Sequence, residues 1–324
     1  MTLRTRLTEK LGIAHPILLA PMGGVAGGRL AAAVSDAGGL GLIGGGYGDD
    51  VWLDREFEAS GNRRVGCGFI TWSLAKNPAL LDRVLARAPA ALMLSFGDPR
   101  PFAARIRAAG SVLICQVQDR DQTLQALDAG AEIIVAQGTE AGGHGGVRAT
   151  LPLVPALVDL VARRAPDAMV VAAGGIADGR GLAAALTLGA EGVLVGTRFY
   201  ATAESLAHDV AKARVVAASG ETTLRTTTFD IVRGLDWPKP FTGRALGNAF
   251  SARWHGREGE LAAAQAAEMQ RYKAAVEAGD FATAVIFAGE DVDLIDDVPP
   301  AAVIVARLTG EAEHALRSAA RRMA

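Results

Sequence analysis

Apolar residues in this chain gather into eight short, unbroken runs: PILLA (16–20), LGLIG (40–44), VGCGF (65–69), ALMLS (91–95), SVLICQV (111–117), EIIVAQ (132–137), MVVAAGG (169–175) and GVLVGT (192–197). None alternates apolar with polar as a half-exposed strand does. Continuous runs of this length suit strands covered on both faces. Between most of them, and after the last, lie alanine-rich stretches with helical spacing, at 29–37, 78–88, 101–109, 120–129, 153–164, 179–188 and 206–218. Gly38 and Gly39 stop the first as a glycine cap does, and Pro78 stands where a proline opens a helix. The alternation predicts an α/β fold with parallel strands, and the span to about residue 220 fits a (β/α)8 TIM barrel. An open doubly wound sheet usually puts its glycine fingerprint after the first strand. Here the glycine loops gather after the sixth, seventh and eighth runs.

The rhythm stops past residue 220. Residues 221–256 read as mixed, with LDWPKPFTGRALGNAF as loop and turn. Residues 258–278 read as one long amphipathic helix, 289–300 as acidic and turn-rich, and 301–324 as a last helix. A closed barrel accepts no further strand. The expectation is therefore a barrel domain (1–220) and a smaller, mainly helical C-terminal extension (221–324) packed on it, with cover of the mouth left open.

Composition narrows the picture. The net charge of −2 and the lack of a basic, aromatic-interleaved patch argue against a nucleic-acid partner. Cys67 and Cys115 lie inside apolar runs and match neither a zinc spacing nor a disulfide framework, so two buried thiols in a reducing compartment are expected. The start MTLRTRLTEKLG lacks the apolar stretch of a signal peptide, and no apolar run is long enough to span a bilayer. A cytoplasmic protein without a membrane partner is the expectation.

Candidate chemistry sits at the ends of the runs. Gly174 and Gly175 end the seventh, where bare backbone N–H groups can approach a phosphate, and Asp178 reads as a helix N-cap. Gly196 and Thr197 end the eighth. Each pair alone reads equally as a tight turn, but side by side they fit the phosphate site of a barrel. Ala20, Pro21 and Met22 after the first run form a small apolar floor for a planar ring, or else a core methionine beside a turn. Gln116 and Gln137, at the ends of the fifth and sixth runs, offer amides that donate and accept, for the pyrimidine edge of a flavin or for local backbone. Then comes AQGTEAGGHGG (136–146), with Glu140 and His144 among five glycines. With few neighbours expected to desolvate it, His144 would titrate near ~6.5. No nucleophile or second metal-spaced histidine accompanies it, which leaves proton abstraction from carbon as its simplest role.

On PILLAPMGG, AQGTEAGGHGG, AAGGIADGRGLAAALTLGAEGVLVGTRF and RALGNAF, the chain resembles the nitronate monooxygenase (2-nitropropane dioxygenase) family of FMN-dependent barrel enzymes. The resemblance implies FMN with its ring against Ala20, Pro21 and Met22. It implies FMN contacts from Gln137 and Gly142, with Gly143 close by, and gives Gln116 the polar position of the fifth strand. The phosphate would lie at Gly174, Gly175, Gly196 and Thr197. His144 becomes the catalytic base and Glu140 a residue that shapes the loop. The implied reaction oxidises a small nitronate or nitroalkane with O2 to a carbonyl compound and nitrite; a homodimer is left open. One departure stands out. Many members carry an asparagine after the third strand, where this chain has GCGFITW, with Gly68 or Phe69 in that neighbourhood. Two other readings remain: an NAD(P)H-dependent flavin reductase of quinones or enoyl thioesters on the same fold, and a flavin- or phosphate-binding protein without catalysis. A more distant likeness to inosine-monophosphate dehydrogenases needs a nucleophilic cysteine in a mouth loop, and both cysteines here fall within strands.

Overall fold

Eleven strands order the chain in the computed structural model, which describes residues 3–323. They are β1 (Ile17–Leu19), β2 (Leu42–Gly46), β3 (Gly66–Ile70), β4 (Ala91–Ser95), β5 (Val112–Val117), β6 (Ile133–Gln137), β7 (Gly143–Gly145), β8 (Met169–Ala173), β9 (Val193–Val195), β10 (Thr223–Thr226) and β11 (Thr242–Leu246). Eight of them run parallel in the order β1-β9-β8-β6-β5-β4-β3-β2. The ring closes at a parallel bridge between Leu18 and Leu40, where the Leu19 N–H donates to the Leu40 carbonyl and the Leu40 N–H to that of Ile17, both at 3.0 Å. The expected (β/α)8 barrel is therefore present.

Strand alternation sorts each run into two cores. Leu18, Met93, Ile114, Val135, Val171 and Leu194 fill the barrel, and Leu7 and Leu11 of the helix Arg6–Leu11 plug its lower end. Their neighbours in sequence, such as Ile17, Leu92 and Ile134, face the surrounding helices. Cys67 and Cys115 face outward too, and burial pushes both thiols up to about 12, so they stay protonated and inert. Leu7 is wholly buried. Leu7→Ala should cost about 2–5 kcal/mol, measured as the shift in urea unfolding; a cost below about 1 kcal/mol would mean the plug carries little stability.

Several boundaries differ from the sequence reading. A helix, Asp50–Ala59, joins β2 to β3; its charged sequence buries only Leu53, Glu56 and Phe57, and so gives little apolar signal. The predicted 206–218 helix is present as Asp209–Val216, but it packs away from the barrel layer, with Leu246, Ile286 and Val292. The outer position beside the Gly179–Thr187 helix belongs instead to Ala301–Arg321, which buries Ile304, Val305 and Leu308 there. Glu311 accepts the Gly179 N–H at 2.9 Å. A Cβ on Gly179 would lie 2.4 Å from the Ala312 nitrogen, so only glycine allows this approach. The last helix thus shares the outer core of the barrel with the Gly179–Thr187 helix.

The segment between β9 and the last helix is not all helix. TGRAL, read as loop, forms β11; it pairs antiparallel with β10 and, on its other side, with β7, placing Gly243 opposite His144. Small residues and an arginine gave this strand no apolar signature. The expected helix at 258–278 breaks at Ala264 into Glu258–Ala263 and Gln265–Glu277.

Candidate active site

Three buried glutamines meet at the upper end of the barrel. Gln137 ends β6 and Gln116 lies near the end of β5, both turned inward by the alternation. The Gln137 carbonyl oxygen accepts from Gln116 Nε2 at 3.1 Å and from Gln118 Nε2 at 2.7 Å, while its own Nε2 donates to the His144 carbonyl at 2.9 Å. Gln118, which the sequence reading passed over, keeps its Oε1 buried and unpartnered. An open acceptor in a buried site asks for a donor from a ligand or water.

The glycine loop is anchored rather than mobile. Its middle is β7, and its glycines admit other backbone: a Cβ on Gly142 would lie 2.6 Å from the Ala288 carbonyl carbon. Gly143 holds a φ of 73°, which favours glycine. Glu140 shapes the loop as expected. Its carboxylate accepts the Thr150 N–H at 3.0 Å and the Thr150 hydroxyl at 2.8 Å, at the start of the helix Thr150–Arg164, and its carbonyl accepts the Glu290 N–H at 2.9 Å. Arg225 and Arg244 clamp the same loop through the Thr139 carbonyl. Arg225 keeps one terminal nitrogen, Nη2, buried and unpartnered, 2.6 Å from where a Gly145 Cβ would stand.

His144 is buried, where few desolvating neighbours were expected. Its Nε2 lies 2.8 Å from Asp230 Oδ2, and Arg233 donates to Asp230 Oδ1 at 2.9 Å. Trp237 stacks flat on the imidazole, centroids 3.4 Å apart and planes within 4°. The Trp237 N–H donates to the Tyr47 hydroxyl at 2.9 Å, and Phe96 packs edge-on to His144 and Trp237. Phe96 holds a φ of 63°, a strained value for a bulky residue, worth about 1–3 kcal/mol. Burial lowers the His144 pKa below its ordinary value, and the hydrogen bond and charge of Asp230 partly offset it. Burial thus favours the neutral form of the ring.

The other predicted residues cluster by strand end. Gly174 and Gly175, with φ of 101° and 72°, follow β8. Gly196 lies beside Ala20 and Met22: a Cβ there would sit 3.6 Å from Ala20 Cβ and 3.8 Å from Met22 Sδ. Pro21 packs onto Gly68, where a Cβ would fall 2.3 Å from Pro21 Cγ. Phe69 faces the outer core. The Thr197 hydroxyl is already engaged: it accepts the Gly289 N–H at 2.9 Å and bonds Asp291, whose carboxyl burial pushes up to about 6.

The sequence profile of the nitronate monooxygenase family matches residues 4–58 and 71–311. The chain belongs to the nitronate monooxygenase family. It is therefore an oxidoreductase. It is 31% identical to the nitronate monooxygenase of Neurospora crassa, over 94% of this chain and 90% of that one. It is 36% identical over 236 residues to the (3aS,4S,5R,7aS)-5-hydroxy-7a-methyl-1-oxo-octahydro-1H-indene-4-carboxyl-CoA dehydrogenase of Mycobacterium tuberculosis; that match covers 71% of this chain and 65% of the relative, just under two thirds of its length. Among solved structures it is similar to FabK from Thermotoga maritima, with a TM-score of 0.86 and 30% identity over 99% of this chain and 100% of that one. It is also similar to the nitroalkane oxidase of Streptomyces ansochromogenes, with a TM-score of 0.79 and 29% identity over 97% and 99%.

Membership of the nitronate monooxygenase family implies a flavin. The residues present fit one: a left-handed glycine pair after β8, a small apolar floor at Ala20 and Met22, and the open Gln118 acceptor. No helix among the described residues is long and apolar enough to cross a membrane.

Proposed function

We propose that this protein uses FMN to oxidise alkyl nitronates, and nitroalkanes once deprotonated, with O2 to a carbonyl compound and nitrite, with His144 as the base. The observation that carries the reading is a buried imidazole fixed by Asp230, on the residue whose carbonyl accepts from the Gln137 amide, in a chain of this family. Gly174, Gly175, Gly196 and the backbone of Thr197 would hold the phosphate. Ala20, Pro21, Met22, Gln116, Gln137, Gly142 and Gly143 would hold the ring. FMN supplies the electron transfer between substrate and O2. The chain's part is to bind, orient and move a proton. His144 takes the α-proton from a neutral nitroalkane, while a nitronate arrives with that step done. The unpartnered Arg225 nitrogen gives the site a positive field suited to an anionic substrate. Trp237, Tyr47 and Phe96 supply apolar walls against water. A cytoplasmic setting belongs to this reading, supported by two unpaired, buried thiols.

A second reading draws on the 36% identity to a carboxyl-CoA dehydrogenase: a flavin oxidoreductase of thioesters, coupled to NAD(P)H. Purified protein mixed anaerobically with ethylnitronate, and separately with NADPH, distinguishes the two. The nitronate reading expects loss of the yellow absorbance with ethylnitronate and nitrite release on admitting air. Rapid bleaching by NADPH alone, with no nitrite from ethylnitronate, would overturn it in favour of the second.

A further inference from the structure

We infer that Asp230 is a positioning residue that holds the proton of the neutral His144 ring on Nε2 and thereby makes Nδ1 the nitrogen that takes the substrate proton. The role rests on the proposed function. The geometry is specific: Asp230 Oδ2 lies 2.8 Å from His144 Nε2, and both side chains are almost wholly buried, at 5% and 6% exposure. A carboxylate only accepts hydrogen bonds, so the nitrogen facing it must carry the hydrogen. A neutral ring has one N–H, and the lone pair is left on Nδ1, which makes no hydrogen bond among the described residues. Arg233 fixes the other carboxylate oxygen at 2.9 Å, which keeps Asp230 from turning away. Trp237 covers one face of the imidazole, which favours approach at the ring edge.

In the proton transfer, the substrate α-C–H bond breaks and its electron pair moves into the C–N bond and onto a nitro oxygen. The proton goes to Nδ1, and the resulting imidazolium stays paired with Asp230 where no bulk water could solvate it. No electron leaves the substrate in this step. The charged groups facing His144 are Asp230 and Arg233 from the helix Thr228–Arg233 and Arg225 from β10. The two arginines oppose protonation of the ring, and Asp230 alone favours it. Removing the Asp230 charge should lower the His144 pKa further, weakening the base and moving the acid limb of the pH profile to lower pH.

The test compares wild type with Asp230→Asn in two independent measurements. In the first, turnover of neutral nitroethane is divided by turnover of ethylnitronate, across pH. The ratio should fall by about 10²-fold, with its acid limb shifted to lower pH. An equal loss on both substrates with no shift would make Asp230 merely structural and overturn the inference. In the second, ¹⁵N-labelled histidine resonances, with His144 assigned through His144→Gln, report the tautomer directly. Wild type should carry the hydrogen on Nε2, and the variant should lose that preference. A wild-type ring protonated on Nδ1 overturns the inference whatever the activity. Wild-type protein active on neither substrate would overturn the proposed function, while the tautomer measurement would still decide the role of Asp230.

Discussion

His144→Ala should retain the flavin and lose about 10²- to 10⁴-fold in turnover of neutral nitroalkanes, the range expected when a positioned acid–base group is removed, with a much smaller loss on preformed nitronates. The asymmetry follows from the division of labour. Deprotonation is needed only when the carbon acid arrives neutral, and among the described residues the groups facing the His144 ring are Asp230, Arg233, Trp237, Phe96 and Phe287, none of them a neutral base. Flavin retention is expected because His144 joins the glutamine cluster only through its backbone carbonyl, and alanine keeps that carbonyl. Steady-state nitrite release with nitroethane and with ethylnitronate, alongside the flavin absorbance per protein, checks all three statements. Unchanged turnover of nitroethane would remove His144 from the chemistry; equal loss on both substrates would make it a general determinant of the site.

The parts of this molecule legible in the sequence are those whose physics is local. Strands buried on both faces become unbroken apolar runs, so the barrel could be read strand by strand. Gln116 and Gln137 could be found because position at a strand end, together with inward alternation, places a side chain at the mouth. What could not be read depends on distant segments meeting. Helical spacing identified the last helix, but nothing in it says that it docks beside Gly179–Thr187 after a hundred-residue excursion. Asp230 and Trp237 come from that excursion and are drawn to His144 by the pairing of β11 with β7. The same pairing explains the misread environment of His144. A glycine-rich loop predicts few desolvating neighbours for its histidine, but the side chains of Asp230, Trp237 and Phe287, all from distant segments, close on the ring.

Gly68 offers the other large effect. It faces into the barrel on β3, in the neighbourhood where the family resemblance implies an asparagine. A Cβ at Gly68 would lie 2.3 Å from Pro21 Cγ and 2.6 Å from Pro21 Cβ, so the proline ring already occupies the space a side chain would need. A proline cannot yield by changing rotamer, because its ring is closed onto its own backbone. The strand end at Ala20, Pro21 and Met22 would have to move as a unit. Its retreat is blocked: a Cβ at Gly44 would fall 2.3 Å from the Met22 carbonyl oxygen, so that backbone already rests against β2. Overpacking of this kind costs about 1–3 kcal/mol. Gly68→Ala should therefore lower the unfolding midpoint and reduce flavin occupancy, and Gly68→Asn should do both more strongly. Thermal unfolding and the ratio of flavin to protein absorbance measure the two effects. If Gly68→Asn keeps full flavin and an unchanged midpoint, the strand end yields more easily than its contacts indicate, and Pro21 is not the group that replaces the asparagine. If the flavin is lost while Pro21→Ala in the same chain restores it, the exchange of an asparagine for a glycine–proline contact is a paired change, and the mouth of this barrel has been reshaped from its floor.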